Sequence, residues 1–309
     1  MTPIANLPIG FLLASLSKIA RKTVQRGLTF KLRTAYKGVL LIFNIKGHLR
    51  LTRILSHPQS ARFTINHPEL SYRYLGHYVS FDISTKNRLS ILIGHYSYLQ
   101  NNFRNDFLDI IGHSPIVLWR QCIDGISFEI EMDFPHDIDY EGELCLTFKK
   151  DRVFIYRLIF VIANGSSFDI PDDNVIVIPS VQGAPYFERV KQATKVCHDI
   201  QPAQLLMAAI NGVGMALGLH TIVGISSKNQ ISQGDRFYFS YDKFFEDYGN
   251  LVPEKNFYRI QLPYVEKPLN LIKNHHRKRT QRKRVFKHDI RDQVALTIEQ
   301  FSDRLNPAV

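Results

Sequence analysis

The fold is decided by the stretch that begins Val175-Ile176-Val177-Ile178, passes through Pro179-Ser180-Val181-Gln182-Gly183-Ala184-Pro185, and returns after a long helical pattern as Thr221-Ile222-Val223-Gly224-Ile225. Both apolar runs have the length of buried strands, and the segment between them is long enough for a helical crossover. Because parallel strands need such a crossover, this stretch predicts two parallel neighbours in one sheet.

Further strand-like runs surround this unit. They lie at 116–119, 126–132, 144–149, 153–163 and, after a short aromatic helix at 241–248, at 257–262. Antiparallel strands that lead into a parallel crossover predict a mixed α+β sheet. We expect a helical N-terminal portion (1–115), an α/β core (116–265) and a basic C-terminal segment with a final helix (266–309).

The crossover is predicted to hold two helices. The first covers 186–197, and the second begins at Pro202, because proline suits a first helical turn. Gly212, Gly214 and Gly218 lower the helix propensity of the second helix, so we expect them to allow close approach of that helix to the sheet.

A candidate ligand site lies at the turn after the first strand. Gln182, Gly183 and Ala184 would form an anion cradle, because a helix N-terminus offers free backbone N–H groups to a phosphate. The alternative is a plain turn in which Gly183 supplies a positive φ.

Polar residues follow the second strand and are expected beside that turn, since ligands prefer this edge of an open sheet. They are Ser226, Ser227 and Asn229. The alternative is a helix-capping cluster, because Ser and Asn favour caps and turns. Tyr241 is a candidate acid near the same edge, although packing in the core is the other use of such an aromatic residue.

The chain has 309 residues, of which 45% are apolar, and a formal net charge of +11. Eight Lys or Arg residues lie between Lys273 and Lys287 without an acidic residue among them, which leaves a charge of about three for the rest of the chain. We therefore place most of the basicity in this segment and expect it to be exposed. The candidate residues for an anionic partner are Arg277, Lys278, Arg279, Arg282, Lys283 and Arg284.

Three interpretations of this basic segment stay open. Aromatic residues that would stack on bases are nearly absent from it, so we place nucleic acid behind an anionic lipid surface. The third possibility is a solvated face without a partner. Residues 9–19 add a short basic amphipathic stretch, which either packs on the domain or lies on a membrane. It is too short to span a bilayer, and we expect no transmembrane segment and no signal peptide.

Three separated cysteines argue against a disulfide framework and favour a reducing cytoplasm, with peripheral attachment to the inner membrane as the alternative. The twelve histidines lack the spacing of metal ligands, so we expect no metal site. The sequence contains no P-loop, no dinucleotide fingerprint and no Gly-x-Ser-x-Gly motif.

Several scattered motifs resemble the VirK/YbjX family of bacterial proteins. They are Arg88-Leu89 with Gly94-His95-Tyr96, Val181-Gln182-Gly183, Ala193-Thr194-Lys195 with His198-Asp199-Ile200-Gln201-Pro202, Tyr241-Asp242-Lys243-Phe244-Phe245-Glu246-Asp247-Tyr248-Gly249, and Phe257-Tyr258-Arg259-Ile260. The resemblance covers about residues 50–300. It implies a virulence or envelope-stress factor linked to tolerance of cationic antimicrobial peptides, and it carries over no catalytic residue.

The strand order also looks like that of the acetyltransferase fold, in which a strand, a glycine-containing turn and a helix hold the pyrophosphate of coenzyme A. This likeness implies an acyl-CoA cofactor. Here, however, Pro185 and Phe187 stand where that family has small residues. Two functions follow: an acyltransferase-like factor acting on an unknown substrate, or a non-enzymatic module that binds an anionic membrane surface or nucleic acid.

Overall fold

The computed structural model describes residues 28–135, 141–231 and 239–303, and the amphipathic stretch predicted at 9–19 lies outside them. The α-helices of these residues are α1 Leu28–Phe43, α2 Ile45–Leu55, α3 Pro58–Asn66, α4 Thr85–Asn102, α5 Phe107–His113, α6 Phe187–Val196, α7 Pro202–Ala216, α8 Tyr241–Glu246 and α9 Asn274–Glu299. The strands are β1 Ile116–Ile123, β2 Ile126–Asp133, β3 Leu144–Lys150, β4 Val153–Asn164, β5 Asn174–Gly183, β6 Thr221–Ile225, β7 Asn250–Val252 and β8 Phe257–Gln261. The fold is therefore the mixed α+β fold that the periodicity predicts.

The described strands form one sheet in the order β1-β2-β3-β4-β5-β6-β8-β7. β5 and β6 are parallel, with Ile176 opposite Ile222 and Ile178 opposite Gly224, and the other neighbours are antiparallel. The predicted parallel pair is thus confirmed. Strands β4, β5 and β6 are almost continuously buried, which is typical of strands covered on both faces.

Helices α6 and α7 form the crossover between β5 and β6, and α7 begins at Pro202 as predicted. Helix α7 is buried along most of its length because it lies between the sheet and α9. A Cβ on Gly212 would lie 2.3 Å from the carbonyl oxygen of Arg291. The expectation that Gly212 approaches the sheet is therefore wrong, because it allows two helices to approach each other. A Cβ on Gly214 would meet Leu262, directly after β8.

The basic segment and the predicted final helix are one helix, α9. Its apolar residues recur at helical spacing and face α7 and β1. Phe286 packs edge-on against Trp119 of β1, with ring centroids 5.8 Å apart. Ile290, Val294 and Ile298 continue the same buried face. The basic first half of α9 is thus held in place by a conventional apolar contact.

A buried ion pair ties the N-terminal helices to the sheet. Arg73 donates through Nη1 to Glu143 beside β3 at 2.8 Å, and Tyr96 of α4 donates to the other oxygen of the same carboxylate. His95 of α4 accepts a hydrogen bond from the backbone N–H of Ile162 in β4 at 3.2 Å. Burial lowers the pKa of His95 to about 3, so the imidazole is neutral. The boundaries near 115 and 265 stay a prediction about how the chain is divided.

Candidate functional site

The turn predicted after Ile178 is wrong, because β5 continues to Gly183. β4 is long enough to pair with this extension: Arg157 lies opposite Gln182, and Tyr156 lies opposite Gly183. The backbone N–H of Ala184 donates to the carbonyl of Ile155 at 2.8 Å. Gly183 does not have a positive φ. Its missing side chain makes room for the ring of Tyr156, since a Cβ would lie 2.5 Å from the ring atom Cε2.

The parallel pairing of β5 with β6 ends at Ile178 and Gly224, because β6 stops one residue later at Ile225 while β5 continues to Gly183. The register of β5 against β4 shifts in the same place, between Val177 and Ser180. The hydroxyl of Tyr241 in α8 lies at this gap in the strand pairing. It accepts a hydrogen bond from the N–H of Val181 at 3.3 Å and donates to the carbonyl oxygen of Val181 at 3.2 Å. A side chain therefore satisfies the backbone groups that a longer β6 would have paired.

A cluster of polar side chains surrounds this gap. The Gln182 amide donates to Glu141 Oε2 at 3.0 Å and to Ser180 Oγ at 2.8 Å. Ser180 Oγ also lies 3.5 Å from the Tyr241 hydroxyl. Burial raises the pKa of Tyr241, so the phenol is protonated and can donate a hydrogen bond. We call Glu141, Ser180, Gln182 and Tyr241 the β5 polar cluster. Its chemistry suits the binding of a polar group more than the cradling of an anion, because it contains a buried carboxylate.

The residues after β6 make different contacts. Ser227 and Asp242 cap each other, with the Ser227 N–H donating to Asp242 Oδ1 at 3.1 Å and the Asp242 N–H donating to Ser227 Oγ at 3.4 Å. Asn229 donates to Asp82 Oδ2 at 2.6 Å. These contacts have the form of the capping alternative. Ser226 Oγ is buried and has no hydrogen-bond partner within the described ranges.

A polar row across one face of the sheet was missed by the sequence reasoning. Glu131 lies opposite Thr147, Thr147 opposite Arg157, and Arg157 opposite Gln182, so the row ends in the β5 polar cluster. Next to it, burial raises the pKa of Asp133 to about 6. The available signal was the alternation of acidic and apolar residues in β2, which places its carboxylates on one face.

Most of the predicted basic residues are exposed on α9, as expected. Lys273, Arg277, Lys278, Arg279 and Arg282 are exposed, whereas Lys283, Arg284 and Lys287 are half-buried. Two of the exposed cations have partners: Arg279 pairs with Asp199 at 2.9 Å, and Arg277 donates to backbone carbonyls. Within the parts of the chain that the structure describes, the side chains of Lys273, Lys278 and Arg282 have no hydrogen-bonding or ionic partner. We call the side of α9 with Lys278 and Arg282 its outward face.

The half-buried cations line a cleft between α9, the start of α7 and residues 263–268. Its volume is about 340 Å³. Glu266 neutralises part of the charge, because its carboxylate contacts Arg284 at 2.9 Å and Lys287 at 2.8 Å. Lys283 donates to the carbonyl of Asp199, and its pKa is lowered by burial and by the neighbouring Arg279. The predicted basic residues thus divide into a partnered inner set and an exposed outer set.

In the described residues, no group of three or more His, Cys, Asp or Glu side chains is arranged to hold a metal ion. No helix in the same residues is long and apolar enough to cross a membrane.

The chain belongs to the family described as "Protein of unknown function (DUF535)", whose profile matches residues 28–296. It is 22% identical over 241 residues to the "Uncharacterized protein YbjX" of Escherichia coli K12, covering 74% of this chain and 72% of the relative. It is 24% identical over 213 residues to the "Membrane protein LapB" of Mannheimia haemolytica, covering 64% of this chain and 87% of the relative. No solved structure matches it significantly. The resemblance to this family is confirmed.

Proposed function

We propose that this protein attaches to anionic membrane surfaces through the outward face of α9, as a peripheral protein of the inner membrane. The observation that carries the proposal is the pair Lys278 and Arg282, which lies on one helical face without a partner in the described residues. Val285 lies on the same face three residues later and is 58% exposed. Cations beside an exposed apolar side chain suit a surface of anionic headgroups over acyl chains.

The electrostatics of α9 support this proposal. Its first turn contains no acidic residue, and its N-cap residue, Lys273, makes no side-chain capping bond. A helix N-terminus carries partial positive charge, so cations there cost stability. Farther along the same face, exposed Asp289 and Asp292 replace the cations. The unfavourable charge is thus concentrated at one end, where an anionic partner would offset it.

Two similarities agree with this placement. One relative is named a membrane protein, although the name describes that protein and not this one. The family resemblance also implies a role in envelope stress and tolerance of cationic antimicrobial peptides. A protein at the inner leaflet would be positioned for such a role.

The test is co-sedimentation with vesicles that contain phosphatidylglycerol, compared with neutral phosphatidylcholine vesicles, at low and high salt. Replacing Lys273, Lys278 and Arg282 by Gln should weaken binding by more than about 100-fold, since each cation near an anionic surface contributes about 1 kcal/mol. The control replaces exposed Lys86, Lys191 and Lys195 by Gln, which removes the same charge from α4 and α6. Equal losses of vesicle binding in the two variants would show that binding depends on net charge and not on the outward face of α9. A parallel DNA shift assay tests nucleic acid, and tighter binding to DNA than to vesicles would overturn the lipid assignment.

We propose acyl transfer from acyl-CoA as a second function, at the end of the β5–β6 pairing. Three features support it: the strand order β2-β3-β4-β5-β6-β8-β7, the short parallel pairing, and the phenol of Tyr241 at the gap. Gln182, Gly183, Ala184, Ser226, Ser227 and Asn229 remain the proposed ligand-binding residues. An acyl-CoA would displace the Tyr241 hydroxyl from Val181, so Tyr241→Phe should change its affinity. The measurement is a thermal-shift titration with coenzyme A and acyl-CoA species, because a ligand of the folded state raises Tm. An unchanged Tm at millimolar concentrations would count against this function.

A further inference from the structure

Helix α1 presents large apolar side chains to solvent. Leu32 and Tyr36 are each 62% exposed, Val39 is 48% exposed, and Phe43 is 82% exposed. Their spacing of four, three and four residues places them on one face of the helix. A continuous exposed stripe of this kind marks an interaction surface, whereas single exposed apolar residues do not. We call these four residues the α1 stripe.

The exposed side chains change from apolar to cationic where α1 meets α2. Asn44 separates the two helices: its N–H donates to the carbonyl of Leu40 at 3.1 Å, its carbonyl accepts from the N–H of His48 at 2.9 Å, and its backbone (φ −110°, ψ 20°) departs from helical geometry. Directly after it, α2 carries the exposed cations Lys46, Arg50 and Arg53, whose spacing of four and three residues places them on one side of that helix.

The opposite face of these helices is fixed to the protein. Leu41 of α1 and Leu51 and Leu55 of α2 are buried in the core. The α1 stripe therefore cannot turn inward without opening those contacts. Its exposure follows from where the core contacts lie on the two helices.

The charge along the sequence favours a lipid partner. Residues 1–68 contain eleven Lys or Arg and no Asp or Glu. This corrects the assignment of most of the basicity to the segment between Lys273 and Lys287, because the chain has two basic regions and an acidic excess in the rest. An apolar stripe that is followed directly by exposed cations, with no acidic residue in either helix, fits an anionic bilayer better than a protein surface.

We propose that α1 lies in the interface of an anionic bilayer, with the α1 stripe among the upper acyl chains and Lys46, Arg50 and Arg53 at the phosphates. The inference rests on the proposed function in one respect, that the partner is an anionic membrane. It adds a second, inserting contact at the other end of the chain. The lipid phosphate supplies the negative charge, and the acyl chains bury the stripe.

The test places a fluorescent reporter in the stripe of the full chain. Trp119 is the single tryptophan and is 1% exposed, so a Phe43→Trp variant adds one exposed indole over a buried background. With phosphatidylglycerol vesicles its emission should shift to the blue and be quenched by lipids brominated on their acyl chains. Tyr36→Ser and Phe43→Ser should each weaken vesicle binding by about tenfold, since each removes an exposed aromatic side chain that the acyl chains would bury. The matched control variants, Leu251→Ser and Leu296→Ser, remove exposed apolar side chains elsewhere and should leave binding unchanged.

Three outcomes overturn the inference. If vesicles bind but the indole of the Phe43→Trp variant is not quenched, the membrane contact is made by α9 alone and the proposed function survives. If that indole is shielded from an aqueous quencher before lipid is added, protein already covers the stripe. Dependence of the shielding on protein concentration would then identify a second copy as the occupant. If vesicles do not bind at all, this inference and the proposed function fail together.

Discussion

The β5 polar cluster and the outward face of α9 each contain residues that the sequence singles out, and the polar groups of these residues have opposite surroundings in the structure. In the cluster, Gln182 and Tyr241 are engaged by buried neighbours. On the helix, Lys278 and Arg282 have no partner in the described residues. Polar groups that satisfy one another stabilise the fold, whereas uncompensated charges are expected where a partner binds. The comparison predicts that changes in the buried part mainly alter stability and that changes on the outward faces mainly alter binding.

The largest effect on stability should come from acid, through two buried histidines. Burial lowers the pKa of His95 to about 3 and that of His48 to about 4. Between pH 6.5 and 4 the unfolded chain therefore binds protons that the folded chain does not, and stability falls as pH falls. The slope from the two residues is up to about 2.7 kcal/mol per pH unit, and below about pH 6 the raised pKa of Asp133 contributes a slope of the opposite sign. Urea unfolding between pH 7.5 and 5 measures it. In His95→Gln the slope should decrease by about 1.4 kcal/mol per pH unit, the share of one histidine, and an unchanged slope would remove His95 from the explanation.

Next in size is the buried ion pair. Glu143→Gln leaves the guanidinium of Arg73 buried without a counter-charge, which should cost about 3–5 kcal/mol. The control is Asp199→Asn, which breaks the exposed pair with Arg279 and should cost less than about 1 kcal/mol. The denaturant midpoints of both variants measure these losses of stability. Similar losses in the two variants would contradict the expected difference between a buried and an exposed ion pair.

A smaller effect on stability is expected at Gly183, where the cause is a contact with the Tyr156 ring and not a positive φ. Gly183→Ala places a Cβ against the Tyr156 ring and should destabilise the protein by about 1–3 kcal/mol through overpacking. Backbone strain from a positive φ plays no part. A double-mutant cycle with Tyr156→Leu separates the two causes. If the clash is the cause, the glycine substitution should cost much less once the ring has been removed, whereas additive losses would argue against it.

The sequence predicted what depends on local periodicity. The parallel strands, the start of α7 at Pro202 and the exposure of the basic segment are all visible in nearby residues. The extension of β5 to Gly183 was not visible, because it depends on the length of its partner β4. The ion pair of Arg73 with Glu143 joins residues far apart in sequence, so it cannot be predicted from residue spacing.

The α1 stripe shows a second limit of prediction from local periodicity. Its spacing is that of a helix packed on a core, and periodicity alone cannot distinguish a buried face from an exposed one. The second basic region was countable in the sequence. It was missed because the net charge was compared with one segment only, while acidic residues elsewhere hid the remainder.

The smallest expected effect on stability has the opposite sign and lies at the start of α9. Lys273 occupies the N-cap with extended backbone (φ −54°, ψ 135°) and makes no side-chain cap. Lys273→Ser supplies a hydroxyl that can accept a hydrogen bond from a free N–H of the first turn, and it removes a cation from the positive end of the helix. The free energy of unfolding should therefore rise by about 0.5–1 kcal/mol.

The same substitution should weaken binding to anionic vesicles by about fivefold, since one cation near the surface is lost. Lys278→Gln is the matched control, because it removes an equal charge beyond the first turn and should lower binding without raising stability. Urea midpoints and vesicle co-sedimentation measure both quantities for each variant. A Lys273→Ser protein that is more stable and still binds with full affinity would show that Lys273 takes no part in binding. One that loses stability would show that the lysine, without any capping bond, already stabilises the helix start. In either case Lys273 would not follow the expected division between residues that stabilise the fold and residues that bind the membrane.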